Sequence, residues 1–579
     1  MFKVDDGFSW EDDSFIAPNE EDLIIYELLI RDFHEDKSFE SVVGKLDYLQ
    51  GLGINAIELM PVNEFDGNSS WGYNPSFHMA VDKIYGSPTK FKELVNECHK
   101  RGIAVILDVV YNHATGQNPY FRLWNTENNS YVGSPTTQNP FFQESPVSES
   151  YLNYFNDMNH ESDYVRDYVR RVNNFLINEY HLDGFRFDLT KGFTNQNIAE
   201  NYSSERVNYL KKIADDVWDN DEDTYIIFEH FQNEEEKVFS EYGIMSWGEE
   251  NYHYNEATMG YPSDFKGVSY KIRGFSKPTL IGFMESHDKE RLMYKNIIYG
   301  NSSENYDVKD FNNSLGRMKA AGSLFLTVPG PKMIWQFGEL GYELSINTCE
   351  DGSIDGDCKL SPKKSAFTLG MDKDKDRIKL YNTWSRILQI RKIEKIFNTN
   401  KFNTSFSSEL KHMVLEDESP GDGISKVIII SNFGTESKEI SGVILPDGEW
   451  FDIFRNNSKV IVSQDNRVTL YPGQFMILAD KMSAIDDDDQ LLLSLEKFND
   501  GNSISIYPNP TLGNTFFNIK DRLDPPYTIH LFNSSGQLIS KVVETRYKFS
   551  INFSGLARGT YNLKVHSKGN SFTKKLIKK

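Results

Sequence analysis

The sequence is short of three things. It has only three cysteines in 579 residues, which excludes a disulfide-built scaffold and leaves room for one internal bridge. It has no run approaching the roughly 20 apolar residues that a membrane-crossing helix needs. The longest apolar stretch near the start, "LIIYELLI", carries a glutamate and is too short. It also lacks basic charge: 62 Lys and Arg stand against 85 Asp and Glu, a net charge of −23. Neither nucleic acid nor an anionic membrane surface is therefore expected as the main partner. Residues 1–20 lack the basic and apolar regions of a secretory signal. The abrupt opening "MFKVDDGFSWEDDSF" reads as a chain without its natural N-terminus.

Aromatics are abundant, with 40 Phe, 30 Tyr and 8 Trp. They supply large cores and suit stacking on a neutral ligand such as a sugar. Cys98 lies in a helical pattern, "FKELVNECHKRG", and reads as a buried thiol. Cys349 and Cys358 flank the loop "CEDGSIDGDC". A disulfide there would close a short loop and contribute about 2–3 kcal/mol. Two thiols with no nearby histidine cannot complete a zinc site.

Between residues 23 and 395, short apolar strands alternate with helical patterns. The strands are "LIIYELLI", "AIELM", "AVILDVV", "GFRFDL", "YIIFEHF", "GIMSW", "TLIGFMES" and "KMIWQF". Helical spacing covers Phe39–Leu52, Pro88–Arg101, Asp163–Tyr180, Ser204–Asp219, Asn313–Thr327 and Arg377–Ile390. Eight such repeats predict an α/β fold, a (β/α)8 TIM barrel. A doubly wound sheet is the competitor, but no Gly-rich phosphate fingerprint follows the first strand. After the third strand, residues of about 114–160 are too many for a connection and read as an inserted subdomain over the barrel mouth. Residues 1–22 form a separate N-terminal segment, taken as the remnant of a preceding domain. Residues 396–482 read as an all-β sandwich. Residues 483–499, with a four-Asp run, read as a solvated acidic linker rather than a calcium site. Residues 500–579 read as a second small β-domain.

In a barrel of this kind, reactive groups sit at the C-terminal ends of strands. Strand three ends Asp108, Asn112, His113. Strand four ends Arg186, Asp188, Lys191. Strand five ends Glu229, His230. Strand seven ends Glu285, His287, Asp288. One Asp at one strand end is usually a helix cap, but four such ends with acids, His and Arg point to a site. The run "DGFRFD" puts Arg186 among apolar neighbours, where a guanidinium needs a counter-charge. Asp188 can supply it, and Arg186 would keep Asp188 ionised. Glu229 follows the apolar "YIIF", which would raise its pKa. One ionised and one protonated carboxyl flanking a bond between sugars can hydrolyse it.

The segments "DVVYNH" (108–113), "GFRFDLTK" (184–191), "IIFEHF" (226–231) and "FMESHD" (283–288), with "WGYNP" (71–75) and "FNDMNHES" (155–162), resemble glycoside hydrolase family 13, the α-amylase family. The resemblance spans about residues 20–480. It implies a retaining hydrolase with Asp188 as nucleophile, Glu229 as general acid/base and Asp288 as transition-state stabiliser. It implies substrate contacts from Tyr73, His113, Arg186, Lys191 and His287. It also implies a structural calcium on Asn112, Asp157 and the carbonyl of Gly192, where the family usually has a histidine after the lysine. No organic cofactor is implied. The segments "YPNPTLGN", "LFNSSGQLI" and "LARGTYNLKV" resemble the C-terminal sorting domain read by the type IX secretion system. That implies a secreted or cell-surface location and contact with secretion machinery. A generic sugar-binding β-sandwich is the plainer alternative.

The expected substrate is an α-glucan, cleaved at internal α-1,4 bonds as in starch or glycogen. Within the same fold, α-1,6 debranching or branching by transfer remains open. A non-catalytic glucan-binding surface protein is the third reading, which the three barrel carboxylates disfavour.

Overall fold

A computed structural model describes residues 7–485, except 13, 128–129, 150–152 and 199, and residues 504–579, except 508, 510, 520–525, 534–536, 547 and 568–569. Eight strands close a parallel barrel. They are β1 (Ile24–Leu28), β2 (Ala56–Leu59), β3 (Ala104–Val109), β4 (Gly184–Phe187), β5 (Tyr225–Phe228), β6 (Met245–Glu249), β7 (Leu280–Phe283) and β8 (Lys332–Trp335). Each strand pairs with its neighbours in sequence, and β8 closes on β1. All eight predicted strands are present, and nearly every residue in them is buried, as parallel strands covered on both faces require.

Helices cover the outside at Pro88–His99, Asp163–Tyr180, Ser204–Trp218, Phe311–Phe325 and Lys375–Ile393. The single helix predicted over 39–52 is instead two, Phe39–Val43 and Leu46–Leu52. Gly44 and Lys45 separate them, and glycine is a poor residue for a helix interior.

Alternation along the strands sets what points inward. Ile25, Ala56, Ala104, Ile106, Ile227 and Met333 fill the lower barrel. Phe15 and Ala17, from the segment before β1, pack against that cluster. The same segment is latched by two histidines. Asp12 accepts from His99 at 3.1 Å and from His181 at 2.7 Å. Trp10 stacks on His181 at 3.8 Å, and Phe15 on His99 at 4.1 Å. His99 also contacts Asp183, the first residue of "DGFRFD", at 2.9 Å.

After β3 the chain builds a three-stranded sheet from His113–Ala114, Phe142–Gln143 and Asn156–Met158, with the last in the middle. Beyond the barrel, six antiparallel strands run from Phe402 to Ala479. One face of this sheet, with Val427, Ile429 and Ile477, joins the core of the barrel's helices. The other, with Ile428, Ile430 and Trp450, has its own core. Arg317, fully buried on helix Phe311–Phe325, donates to Thr258 O and Gly434 O at 2.9 and 2.8 Å and so ties the two parts together. Of the predicted linker, residues 486–499 lie outside the described residues. The C-terminal unit has a three-stranded and a four-stranded antiparallel sheet around Phe517, Ile529, Leu531 and Leu563. Among the described residues no helix is long and apolar enough to cross a membrane. Cys349 and Cys358 are joined, and Cys98 is a buried free thiol.

The latch predicts a pH dependence. Burial opposes the charge on His99, but Asp183 and Asp12 outweigh it and raise its pKa. Burial also opposes the charge on Asp12, and its bonds to His181 and His99 outweigh that and lower its pKa. The Asp12 contribution is present above its unfolded pKa of about 4, and the His99 contribution is full below about 6.5 and fades as pH rises through its raised value. Asp12→Asn should therefore lower Tm by several degrees near pH 6 and by less at pH 9. Equal losses at both pH values in thermal melts would show that packing, not charge, holds the segment.

Candidate active site

The site grows out of strand register. Asp108 on β3 sits opposite Arg186 on β4, and Arg186 opposite Ile227 on β5. Two residues further on, Asp188 and Glu229 share that inward parity and emerge at the mouth. Arg186 is fully buried. Its Nη1 donates to both oxygens of Asp108 at 2.9 Å and to Asp188 Oδ1 at 2.8 Å. Its Nη2 lies 3.1 Å from Glu229 Oε2. Trp247 from β6 covers the guanidinium at 4.1 Å. One cation thus faces three carboxylates in a dry setting.

That sharing revises the expectation for Asp188. Burial raises its pKa to about 6, and the pull of Arg186 does not cancel this because Asp108 competes for the same guanidinium. Asp108 is likewise raised to about 6 by burial, against Arg186 and a 2.5 Å hydrogen bond from the Tyr73 hydroxyl. Glu229 is raised to about 7, mainly by burial, although its Oε2 accepts from the Leu189 amide at 2.8 Å. Asp188 thus ionises at lower pH than Glu229.

Asp288 stands apart at the rim, with 41% of its side chain exposed. Burial works against its charge, yet His287 and Lys359 bring it down to about 2. Lys359 Nζ is 2.9 Å from Oδ1, and His287 Nε2 is 3.5 Å from Oδ2. His287 is clamped from below by Glu27 on β1, at 2.5 Å to Nδ1 and 3.1 Å to the backbone amide. Burial alone would depress His287, but Asp288 and Glu27 lift it to about 9. The Tyr73 ring stacks on His287 at 5.1 Å.

Other predicted residues are placed less directly. His113 is buried, with Nε2 2.8 Å from the Tyr73 carbonyl and Nδ1 3.2 Å from Asn112 Nδ2. A sugar hydroxyl would have to compete with those partners. Burial takes His113 down to about 4, so it is neutral. Lys191 Nζ reaches Glu200 at 3.2 Å, and its carbonyl accepts from Arg206. His230 and Glu285, also at strand ends, turn to structural roles. His230 bridges Thr190 and Glu235, and Glu285 pairs with Arg291 at 3.2 Å.

Asn112, Asp157 and Gly192 gather on one flank. A Cβ on Gly192 would come within 2.1 Å of Asn112 Oδ1, so only glycine lets that amide oxygen meet the backbone here. Asp157 is buried, with Oδ2 accepting from Gln143 at 3.0 Å, and burial raises its pKa to about 7. An all-oxygen set with one buried carboxylate fits a hard cation such as calcium. Among the described residues no group of three or more His, Cys, Asp or Glu could hold a metal, so any such site would lean on the amide and carbonyl oxygens.

Sequence reading missed Glu27, Glu58, Trp247 and Lys359. Glu58 on β2 pairs in register with Glu27. It is buried with no described hydrogen-bond partner for either oxygen, and burial and Glu27 raise its pKa well above the carboxylate range. The inward parity of "YEL" and "IEL" was the available signal.

Removing Arg186 would strand three carboxylates around one gap. Arg186→Met is expected to cost about 3–5 kcal/mol, read by denaturant unfolding. A loss under about 1 kcal/mol would mean that the carboxylates relieve the deficit by taking up protons.

The geometry agrees with comparisons to known proteins. Residues 35–386 match the family model for the alpha amylase catalytic domain, and residues 505–579 match that for the secretion system C-terminal sorting domain. The latter marks a secreted or cell-surface protein. The chain is 40% identical over 186 residues to a malto-oligosyltrehalose trehalohydrolase of Saccharolobus solfataricus, covering 32% of this chain and 30% of that protein. It is 26% identical over 468 residues to alpha-amylase 3 of Dictyoglomus thermophilum, covering 72% of this chain and 87% of that one. Among solved structures, pullulanase type I from Bacillus subtilis complexed with maltose superposes with a TM-score of 0.63 at 18% identity, over 83% of this chain and 73% of the other. With the catalytic-domain model matched over more than half its length, the chain belongs to the alpha-amylase family.

Proposed function

We propose that the protein is a retaining glycoside hydrolase that cleaves internal α-1,4 bonds of starch- or glycogen-type glucans. The observation that carries this reading is the single buried Arg186 holding Asp188 and Glu229 together, with Asp288 at the rim. Asp188, ionised at lower pH, attacks the anomeric carbon. Glu229, the weaker acid, gives its proton to the leaving oxygen. The C–O bond to the leaving sugar breaks as the Asp188–glycosyl bond forms. Water then attacks the same carbon, loses its proton to Glu229 and frees Asp188. Asp288 and the Tyr73 face stabilise the positive ring in the transition state of each step. His287, Lys191 and, once its internal bonds yield, His113 contact sugar hydroxyls. The C-terminal domain would engage the secretion machinery.

Linear α-1,4 glucan with the purified protein should yield reducing ends, and Asp188→Asn should lower the rate at least about 10³-fold. Reactivity needs Asp188 ionised and Glu229 protonated, so kcat/KM should rise through about pH 6 and fall above about pH 7. The first products should keep the α configuration by NMR, and β products would reject Asp188 as nucleophile. A second reading, cleavage of α-1,6 bonds, is supported by 33% identity over 220 residues to isoamylase SU1 of Zea mays, covering 32% of this chain and 26% of that protein. Reducing ends released from pullulan but not from linear glucan would decide for it.

Asn112, Asp157 and the Gly192 carbonyl would hold a structural calcium, tying the insertion to the loop after β4 and keeping Asp157 ionised. Chelation should lower Tm by several degrees, and Asp157→Asn should abolish the response to added calcium. An unchanged Tm on chelation, with no calcium in metal analysis, would remove the site.

A further inference from the structure

The loop after β8 reaches back into the site. It carries the Cys349–Cys358 disulfide, and the next residue is Lys359. Its backbone is held firmly. Lys363 Nζ donates to the carbonyls of Cys358 and Ser361 at 2.8 and 2.7 Å. Arg31 donates to the Leu360 and Ser361 carbonyls at 3.0 and 3.3 Å. Inside the loop, Thr348 and Ile354 bridge, and Asp355 N donates to Asn347 O at 3.0 Å. From this anchored turn the Lys359 side chain crosses to Asp288 Oδ1 at 2.9 Å, with its ammonium 5.7 Å from the Trp71 ring centroid.

Asp288 has few other constraints. It is at the rim, its side chain is 41% exposed, and among the described residues its other ion-pair contact is His287 at 3.5 Å. His287 is fixed by Glu27 and cannot follow a swinging carboxylate. A flexible, half-exposed aspartate is a poor transition-state group unless something holds its rotamer. Lys359 occupies Oδ1 and leaves Oδ2 to His287.

Resting on the hydrolase reading above, we propose that Lys359 is a positioning residue for Asp288, presented by the disulfide-closed loop. It acts on the step in which Asp288 meets the positive sugar ring, so its loss should appear in kcat rather than KM. An exposed surface pair contributes little to folding, so removing it should leave the fold intact. Cleaving the disulfide frees the turn that carries it and should act in the same direction.

The test uses the full chain with maltoheptaose as probe and compares the parent with Lys359→Gln, Lys359→Arg and the Cys349→Ser/Cys358→Ser double variant. Lys359→Gln should lower kcat about tenfold, with KM within twofold and Tm unchanged. Lys359→Arg, which keeps the charge, should retain most of the rate. The double variant should lose kcat with KM again preserved. A parent-level kcat in Lys359→Gln overturns the proposal. So does an equal loss in Lys359→Arg, or a rise in KM at constant kcat, which would make Lys359 a direct substrate contact. A parent-level kcat in the double variant overturns the role of the disulfide. If the parent turns over no glucan, the hydrolase reading fails by itself, and amine labelling read by mass spectrometry still tests the pairing. Asp288→Asn should raise Lys359 labelling several-fold, and unchanged labelling overturns it.

Discussion

One guanidinium in a dry barrel organises this molecule. Arg186 has no exposure and bonds Asp108 and Asp188 while facing Glu229. A buried cation costs several kcal/mol in desolvation unless acceptors surround it. Here the acceptors outnumber the charge they share, and burial leaves both carboxyls raised, Asp188 to about 6 and Glu229 to about 7. Asp188 takes a direct charge-assisted hydrogen bond. Glu229 takes a longer contact and a backbone amide. The proposed chemistry needs an acid and a base side by side, and a single shared partner holds the two together.

The rest of the mouth has its own small cluster. His287 rests on Glu27 and faces Asp288, while Lys359 closes the outer side. Charge alternates outward from β1 to the rim: Glu27, His287, Asp288, Lys359. The inner set around Arg186 is acid-rich, and the outer set is balanced. The difference suits their places. In the proposed mechanism protons move in the inner set, whereas the outer one only has to stay charged.

Much of this was legible in the sequence. Strand segments of four to six apolar residues with turn and helix between them gave the barrel, because parallel strands buried on both faces leave that signature. Arg186 and Asp188 stood out because a guanidinium among apolar strand residues needs a counter-charge, which Asp188 could supply. Glu229 was recognisable from the apolar run before it. Glu27 and Glu58 carry the same parity, but without a reactive neighbour in sequence an inward Glu looks like a strand irregularity. Lys359 was beyond reach, because 71 residues separate it from Asp288 and its approach depends on how a long loop folds. The sharing of Arg186 was also hidden: sequence proposed a pair, while register across β3, β4 and β5 made a foursome.

The six-stranded sheet from Phe402 to Ala479 buries one face in the same core as the barrel helices, and Arg317 bonds carbonyls on both sides of that seam. A cut near residue 395 would therefore expose the outer surface of Phe311–Phe325 and leave a guanidinium half-satisfied in what had been a protein interior. The smallest piece able to stand as a catalyst is not the barrel alone. It runs through the sheet, and anyone trimming the chain for expression or grafting should keep the two as one block.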